Sequence, residues 1–387
     1  MTIHFDWQPR TRIVFGPGTL SRLGELARAL GGRRALVVTD AGIVAAGHAG
    51  RAVTALEEAG IAAAVYDGVR ENPTTEDVDA CVAAAREAGA DLLVGLGGGS
   101  SIDAAKGANF LLTGGGVMRD YWHTGRAFEG DMLPFIAVPT TAGTGSEVQS
   151  YALIADAKTH QKMACGDPKA APRVALLDPE LTVSQPARVT ACTGLDALAH
   201  AVESAVTRPR SPVSWLYSRE AFRLLAGNFE RVLDTPGDAE ARAAMLLGAA
   251  YAGLAIENSM LGAAHSMANP LTAHFGVIHG QAVGLMLPHV VRFNAVRETA
   301  DLYRDLAAYA GLVPPTAAAQ EGAEGLVFHL TRAQERAGIP LSLAACGVAE
   351  DAVPMLAAEA AQQWTARFNP RDVTAEDFAH LYREALK

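Results

Sequence analysis

The most constraining feature of this chain is a change in its hydrophobic pattern near residue 180. Before that point, short β-branched runs alternate with Ala-rich amphipathic segments, as in RALVVTD, AGRAVTALEEAG, AAAVYDG and DLLVGLG. Such alternation is typical of βαβ units around a parallel sheet. Two later runs, PFIAVPT and RVALLD, extend the same sheet, and the polar stretch DAKTHQKMACGD between them predicts a hairpin.

From about Thr182 the chain becomes Ala- and Leu-rich with helical periodicity, interrupted by turn clusters such as TRPRSPV and DTPGDAE. We therefore predict an α/β domain over residues 1–181 and an all-helical domain over residues 182–387, with the active site in the cleft between them. The longest apolar stretch, residues 243–256, is too short to span a bilayer and predicts a helix buried in a bundle.

Composition excludes several classes of function. The net charge of −10 and the lack of any Lys/Arg run argue against nucleic-acid or anionic-membrane binding. The four cysteines have no paired spacing, which is typical of a reduced cytosolic protein rather than a disulfide framework. The N-terminus lacks the basic start and apolar core of a secretory signal, so we expect a cytoplasmic protein.

One carboxylate and one imidazole in TGLDALAHAVESA have metal-ligand spacing. Asp196 and His200 are four residues apart, so on a helix both lie on the same face. This pair also has an ordinary interpretation. Thr193 can cap a helix with Asp196 at the third position, where a carboxylate suits the exposed amides, and His200 is then a half-buried histidine.

A second pair, His265 and His279, favours the metal interpretation. Unbroken helix would separate the two histidines by about 21 Å, too far for one coordination sphere, so the chain must fold back between them. Pro270 is predicted to end the helix after Asn269, and glycines flank His279 in the return. Carboxylate and imidazole ligands suit Fe(II), Zn(II), Co(II) or Ni(II) better than calcium or magnesium.

Two glycine-containing loops are predicted to bind phosphate. DLLVGLG runs directly into GGSSIDAAKG, so Gly97, Gly98 and Gly99 form a turn at the start of a helix capped by Ser100 or Ser101. An ordinary tight βα turn has the same pattern, and the loop is not the GxGxxG fingerprint. PTTAGTGSE adds a second loop that can donate hydrogen bonds, through Thr140, Thr141, Thr144 and Ser146.

Asp40 ends the strand RALVVTD, where nucleotide ribose is often bound in such sheets. A carboxylate there accepts hydrogen bonds from ribose hydroxyls and repels a 2′-phosphate, which favours NAD over NADP. The alternative is that Asp40 only caps the helix beginning in AGIVAAG.

Together these segments resemble the iron-containing alcohol dehydrogenase family, which shares its fold with glycerol dehydrogenase and dehydroquinate synthase. The resemblance runs along nearly the whole chain. Its motifs are FGPGTL, VVTD, ENPT at residues 71–74, GLGGGSSIDAAKG, VPTTAGTGSEV, LLDPEL, TGLDALAHAVES, LGAAHSMAN, VIHG and NPR at residues 369–371.

The resemblance implies an N-terminal NAD-binding α/β domain and a C-terminal all-α metal-binding domain, a dehydroquinate synthase-like fold. It also implies hydride transfer between an alcohol or its carbonyl and NAD, with Fe(II), or alternatively Zn(II), polarising the substrate oxygen. A homodimer or larger homo-oligomer is expected. The four metal-ligand positions are Asp196, His200, His265 and His279, of which His265 and His279 are also taken as catalytic. The cofactor positions are Asp40, Asn72, Gly97, Gly98, Gly99, Ser100, Asp103, Thr140, Thr141, Thr144 and Lys162.

The chain departs from the family pattern at three places. Asn269 replaces the histidine of HxMAH that is credited with relaying a proton, so His274 is the expected substitute and a candidate catalytic residue. Ile256 stands where AGxAF has phenylalanine, and Ile278 replaces the proline before the last ligand. We therefore expect an altered substrate pocket.

Two other functions fit parts of the pattern. A lyase or cyclase like dehydroquinate synthase would use the same nucleotide and metal, but it needs several basic residues around a phosphorylated substrate. The segments expected to line the cleft are poor in Lys and Arg apart from Lys162. A non-catalytic nucleotide sensor would not need four metal ligands. For a dehydrogenase, small alcohols, diols, hydroxy acids and phosphonate or sulfonate aldehydes are all compatible with the sequence.

Overall fold

A computed structural model describes residues 5–122, 128–159 and 161–387. The chain divides into two compact units, one spanning Gln8–Gln185 and the other containing Pro186–Lys387. The first unit has both strands and helices, whereas the described residues of the second form helices joined by turns and contain no strand. The predicted α/β and all-helical parts are therefore both present.

The first unit is built on a parallel sheet of six strands in the order β1-β8-β5-β4-β2-β3. A separate antiparallel hairpin, β6-β7, forms from the polar stretch between two sheet strands, as predicted. The strands are β1 Arg12–Phe15, β2 Arg34–Val38, β3 Ala62–Tyr66, β4 Leu92–Gly97, β5 Phe135–Pro139, β6 Tyr151–Ala155, β7 Lys162–Gly166 and β8 Val174–Leu177.

Helices cover both faces of this sheet. Along β2, Ala35 and Val37 belong to one hydrophobic cluster and Leu36 and Val38 to the other, because successive side chains of a strand point to opposite faces. The first cluster includes residues of α1 and α3, and the second includes residues of α4 and α5. The helices are α1 Leu23–Ala29, α2 Ala41–Ala45, α3 His48–Glu58, α4 Thr75–Glu87 and α5 Gly99–Gly114.

Nine helices follow in the described part of the second unit. Helix α6 packs against α7, α8 and α10, and α10 also packs against α9. These contacts bring together the helices that carry the predicted metal ligands. The helices are α6 Ala187–Ser204, α7 Pro212–Asp234, α8 Ala239–Glu257, α9 Ala263–Phe275, α10 His279–Asn294, α11 Glu298–Tyr309, α12 Ala319–Ala337, α13 Val353–Gln362 and α14 Ala375–Ala385.

Within the described residues, α8 is the single helix that is long and apolar enough to cross a bilayer, judged by length and composition alone. Most of its apolar window is buried inside the protein, as is usual for the core helix of a folded domain. The structure thus agrees with the prediction of a buried bundle helix over residues 243–256.

Three local predictions are wrong. Pro270 does not end a helix but lies buried inside α9, where surrounding packing offsets the lost backbone hydrogen bond. Thr193 is not an N-cap, because α6 begins at Ala187 and the Thr193 hydroxyl donates to the carbonyl of Val189. Neither Ser100 nor Ser101 caps α5, since the N-cap residue is Gly98 and both serines lie inside the helix.

Candidate metal centre and nucleotide loops

The four predicted ligands converge on one carboxylate oxygen. Asp196 and His200 lie one turn apart on α6, His265 lies in the first turn of α9, and His279 is the first residue of α10. The Nε2 atoms of His200, His265 and His279 lie 3.3, 3.4 and 3.9 Å from Oδ1 of Asp196. Helix packing therefore gathers residues that are up to 83 positions apart in the chain (279 − 196).

The centre of this group suits a metal ion. Ligand atoms of Asp196, His265 and His279 all lie within 4.8 Å of one another. Within the described chain, Asp196 Oδ1 and His265 Nε2 are buried and have no hydrogen-bond partner. Buried polar atoms are normally satisfied, so two unsatisfied ligand atoms that face each other indicate a site for a cation. The residues present therefore fit a divalent ion of the kind bound by imidazole and carboxylate.

Electrostatics in the group also favour bound positive charge. Burial disfavours ionised Asp196, but the imidazoles, His200 foremost, outweigh it and hold the pKa of the carboxyl below its ordinary value. Burial lowers the pKa of His265, yet the charges of Glu203 and Asp196 outweigh burial and raise that pKa to about 9. A buried carboxylate that remains ionised can attract either protons or a metal ion to the imidazoles around it.

Two glycines make the return from His265 to His279 possible. Gly276 ends α9 with a left-handed backbone, φ 63°, which an L side chain rarely adopts. Gly280 lies next to His279 and against α6, where a Cβ would meet the carbonyl oxygen of Cys192. The reversal therefore occurs at Gly276, six residues after the predicted break at Pro270.

Sequence reasoning missed one residue of this group, Glu203. It lies on α6 at the third position after His200 and is buried. One of its carboxylate oxygens lies 2.5 Å from Nδ1 of His265. Asp196, His200 and Glu203 are spaced i, i+4 and i+7, so this helix-face periodicity is the signal that would have identified the glutamate.

The residues at the family departures lie in different environments. His274 is exposed and bonds through Nε2 to the carboxylate of Glu359, at 2.9 Å. It lies nine residues after His265 on the same helix, or about 13 Å along the axis, so the structure does not bring it to the histidine group. The side-chain amide of Asn269 donates to Gln363, and Ile256 is buried on α8.

In the α/β unit the two predicted phosphate loops lie side by side. They follow β4 and β5, which are adjacent parallel strands, and the amide of Thr140 donates to the carbonyl of Gly97. A Cβ on Gly99 would come within 2.7 Å of the Thr144 side chain, and one on Gly98 would contact Thr141 at 3.5 Å. Glycine is thus required at 99 for the loops to approach, and the main chain at the start of α5 is not covered by side chains of its own.

Asp40 and Asn72 join this edge of the sheet. Asp40 follows β2, the other neighbour of β4, and its Oδ2 lies 3.5 Å from the hydroxyl of Ser101. Its Oδ1 accepts from the amide of Ile43, so the capping interpretation is correct, while Oδ2 remains directed towards the glycine loop. Asn72 has a left-handed backbone, φ 54°, and its main-chain amide donates to Ser100 Oγ at 3.3 Å. These residues therefore surround one loop.

The last two predicted cofactor residues are Asp103 on α5 and Lys162 on the hairpin. Asp103 is buried and accepts from the hydroxyl of Ser146 at 2.5 Å and from the amide of Leu153 at 3.2 Å. Its other neighbour is the buried ammonium of Lys106, at 3.8 Å. These contacts give Asp103 an internal structural role. Lys162 is exposed at the start of β7, on the hairpin outside the six-stranded sheet.

Known protein families match this chain along nearly its whole length. Residues 9–179 match the family model described as iron-containing alcohol dehydrogenase, and residues 190–386 match the C-terminal model of the Fe-containing alcohol dehydrogenase family. The chain is 33% identical to the NAD-dependent methanol dehydrogenase of Bacillus methanolicus, over 96% of this chain and 97% of that protein. It is 34% identical to the 1,3-propanediol dehydrogenase of Klebsiella pneumoniae, over 99% of both.

A solved structure of a 1,3-propanediol oxidoreductase agrees with these matches. Its TM-score with this chain is 0.94 at 34% sequence identity, over 99% of this chain and 100% of the other. The same arrangement of an α/β part followed by a helical part is thus found in a relative of known structure.

Proposed function

The chain belongs to the iron-containing alcohol dehydrogenase family, and on that premise we propose that Asp196, His200, His265 and His279 bind the catalytic iron. The enzyme interconverts a small alcohol and its aldehyde or ketone, with NAD(H) as the hydride acceptor or donor. The observation that carries this assignment is the convergence of three Nε2 atoms on Oδ1 of Asp196, at 3.3 to 3.9 Å. Zn(II) is the alternative ion for the same ligand set.

When bound, a divalent iron supplies Lewis acidity that polarises the substrate oxygen and lowers the barrier to hydride transfer. The protein's part is to hold four ligands from three helices, of which Asp196, His200 and His265 are buried and His279 is partly exposed. Neutral imidazoles contribute no charge, and Asp196 contributes one negative charge. The ligand set would therefore leave a net charge of +1, half that of the divalent cation, to attract the substrate oxygen.

We assign NAD to the α/β unit, residues 1–181, and the metal to the helical unit, residues 182–387. In this assignment the amides at the start of α5 bind the pyrophosphate, because they are uncapped by side chains and carry the positive end of the helix dipole. Asp40 faces the ribose and favours NAD. The remaining proposed contacts are Asn72, Gly97, Gly98, Gly99, Ser100, Thr140, Thr141 and Thr144.

The substrate proposed here is a short primary alcohol or diol, or the corresponding aldehyde. This rests on the similarity to proteins named for methanol and 1,3-propanediol. Ile256 and Ile278, which differ from the family pattern, are the positions proposed to reshape the pocket.

We further propose a cytoplasmic homodimer or larger homo-oligomer. All four cysteines are described by the structure and no disulfide joins them, which fits a reducing compartment. Light scattering coupled to size-exclusion chromatography measures the oligomeric state directly.

The test of this function is NADH oxidation by metal-free protein reconstituted with Fe(II), with Zn(II) or with no metal. The substrates are short aldehydes, including those derived from methanol and 1,3-propanediol. Turnover should require added metal. The variant His279→Ala should lose that turnover and still bind NADH, whereas His380→Ala, an exposed histidine on α14, should behave like the unchanged enzyme.

Two results would overturn the proposal. Metal-dependent turnover retained by His279→Ala would remove this histidine from the ligand set. Absence of turnover with every metal and aldehyde, despite tight NADH binding, would favour a lyase resembling dehydroquinate synthase.

A further inference from the structure

Glu203 uses both of its carboxylate oxygens at the start of α9. Oε1 accepts a hydrogen bond from the main-chain amide of Ala264 at 2.7 Å, and Oε2 accepts one from Nδ1 of His265 at 2.5 Å. The glutamate is only 3% exposed, so water does not compete for either bond. A single side chain on α6 therefore binds both the backbone and the ring of consecutive residues on α9.

The second of these bonds determines which nitrogen of His265 is available. Because a carboxylate only accepts, Nδ1 carries a ring proton, and Nε2 is the nitrogen left to bind a metal ion once its own proton is displaced. Nε2 is the atom that faces Oδ1 of Asp196 at 3.4 Å. Histidines that bind metals usually donate their other ring N–H to a carboxylate or carbonyl in this way.

The first bond determines the direction of the ring. Helix α9 begins at Ala263, so the Ala264 amide is one of the donors that a helix leaves unpaired at its N-terminus, and a negative charge there is favourable. Because Oε1 is bound to the main-chain amide of Ala264, the carboxylate is fixed relative to the start of α9. The bond from Oε2 then holds the ring of His265 in one orientation. Gly262 also lies close to this carboxylate, since a Cβ there would come 3.1 Å from Glu203 Oε1.

We infer that Glu203 is a positioning residue of the metal site, which holds His265 with its proton on Nδ1 and its Nε2 directed at Asp196. This inference rests on the proposed metal ligation by His265. Glu203 acts through His265 and through the start of α9, without itself touching the ion. Its consequence is a higher affinity for the metal.

Glutamine tests this arrangement because it is almost the same shape and has one oxygen instead of two. In Glu203→Gln, either the Ala264 amide or the His265 ring proton must face an NH₂ group, so one buried donor loses its acceptor. The dissociation constant for Zn(II), measured on NAD-free protein by competition with a chromophoric chelator, should rise about 10- to 100-fold. Nitrogen-15 NMR of the histidine rings in the Zn(II)-loaded protein should show a changed His265 signal.

Asn369→Ala is the matched control. Its side-chain oxygen accepts from the amide of Ala263, the residue beside Ala264 at the same helix start, at 3.4 Å. The substitution therefore disturbs the beginning of α9 without removing the bond to His265. We expect a lower melting temperature and a Zn(II) dissociation constant within about threefold of the unchanged protein, on the usual scale for a site that is not contacted.

A double-mutant cycle with His265→Ala separates the possible outcomes. If Glu203 acts through His265, Glu203→Gln should have no further effect on Zn(II) affinity in the His265→Ala background. Equal losses in both backgrounds, or unchanged affinity in Glu203→Gln, would overturn the inference. If His265→Ala alone binds Zn(II) normally, the proposed metal site itself is wrong.

Glu203→Asp provides the same test if the glutamine variant does not fold. The shorter side chain keeps the charge and both oxygens but cannot reach Ala264 and His265 together. Circular dichroism establishes whether each variant is folded. A folded aspartate variant should bind Zn(II) at least about tenfold more weakly, and unchanged affinity would contradict the positioning role.

Discussion

Gly280 lies directly against the main-chain carbonyl of Cys192, so closely that a Cβ at position 280 would come within 2.0 Å of that oxygen. This contact sets how near the start of α10, and with it His279, approaches α6. In Gly280→Ala the helices must separate, at a cost of about 1–3 kcal/mol in the free energy of unfolding. Metal-dependent turnover should fall because His279 moves away from Asp196. Urea unfolding and turnover with added Fe(II) measure the two effects.

Gly284→Ala is the control on the same helix. The nearest atom to its Cβ would be the side chain of Leu195 at 3.4 Å, an ordinary contact. Because alanine favours helix over glycine by about 1 kcal/mol, this variant should be as stable as the unchanged protein or more so. If the two alanine variants behaved alike, the close approach at Gly280 would have no effect on the site.

Asp40 has two functions that different substitutions separate. Asp40→Asn removes the charge and keeps an oxygen that can accept from Ile43, whereas Asp40→Ala also removes the cap of α2. Both should lower the ratio of kcat/KM for NAD to that for NADP by about tenfold, or 1.4 kcal/mol. Only the alanine variant should also lose about 1 kcal/mol of stability. An unchanged ratio in both variants would show that Asp40 does not select the cofactor.

His274→Ala tests whether this histidine relays a proton. Its pairing with Glu359 is exposed, and such surface pairs contribute at most about 1 kcal/mol. Since His274 lies far along α9 from His265, we expect kcat to change less than about twofold, without a shift in the pH profile. A tenfold fall with a displaced pH profile would restore the predicted relay role.

Asp77 should make stability depend on pH in the acid range. Burial disfavours its charged form, but hydrogen bonds from Arg70 and Thr74 outweigh burial, so the pKa of the carboxyl lies below its ordinary value. A lowered folded-state pKa stabilises the protein above the unfolded pKa, and the stabilisation is lost as pH falls through the folded pKa. Asp77→Asn should therefore cost about 1 kcal/mol at pH 7.

The cost of Asp77→Asn should decrease steadily below about pH 4. Urea unfolding of both proteins across the acid range measures the difference. Asp79→Asn, at an exposed position on the same helix, should change the free energy of unfolding by less than about 0.5 kcal/mol. A difference between Asp77→Asn and the unchanged protein that is constant from pH 7 to pH 3 would contradict the assignment.

Much of the fold was predictable from local patterns. The family, the fold class, the class of enzyme and the use of NAD and iron are confirmed by the family matches and by the relatives. Strands such as β4 were recognisable because buried parallel strands are continuously apolar. The strand β1 was not predicted, since four residues of mixed exposure carry almost no periodic signal. Strand order depends on contacts between distant segments, which periodicity does not report.

Within the site, errors arose where tertiary packing overrides local preference. Pro270 continues a helix because its surroundings are buried, and Asp196 lies in mid-helix because α6 begins two turns before Thr193. The sequence also could not show that His274 lies exposed on α9, nine residues beyond His265. Glu203 was recognisable in principle, since it shares a helix face with Asp196 and His200. Its bond to His265, 62 residues later, was not.

The distance in sequence between the ligands has a consequence for the order of assembly. Asp196 and His279 become neighbours only after α6, α9 and α10 have docked, so the complete site cannot exist on a partly folded chain. Early segments such as residues 187–204 offer at most Asp196 and His200, too few ligands for tight binding. On the proposed ligation, tight metal binding therefore requires the docked helices, and a folded protein stripped of its ion should recover activity on simple addition of Fe(II), without unfolding.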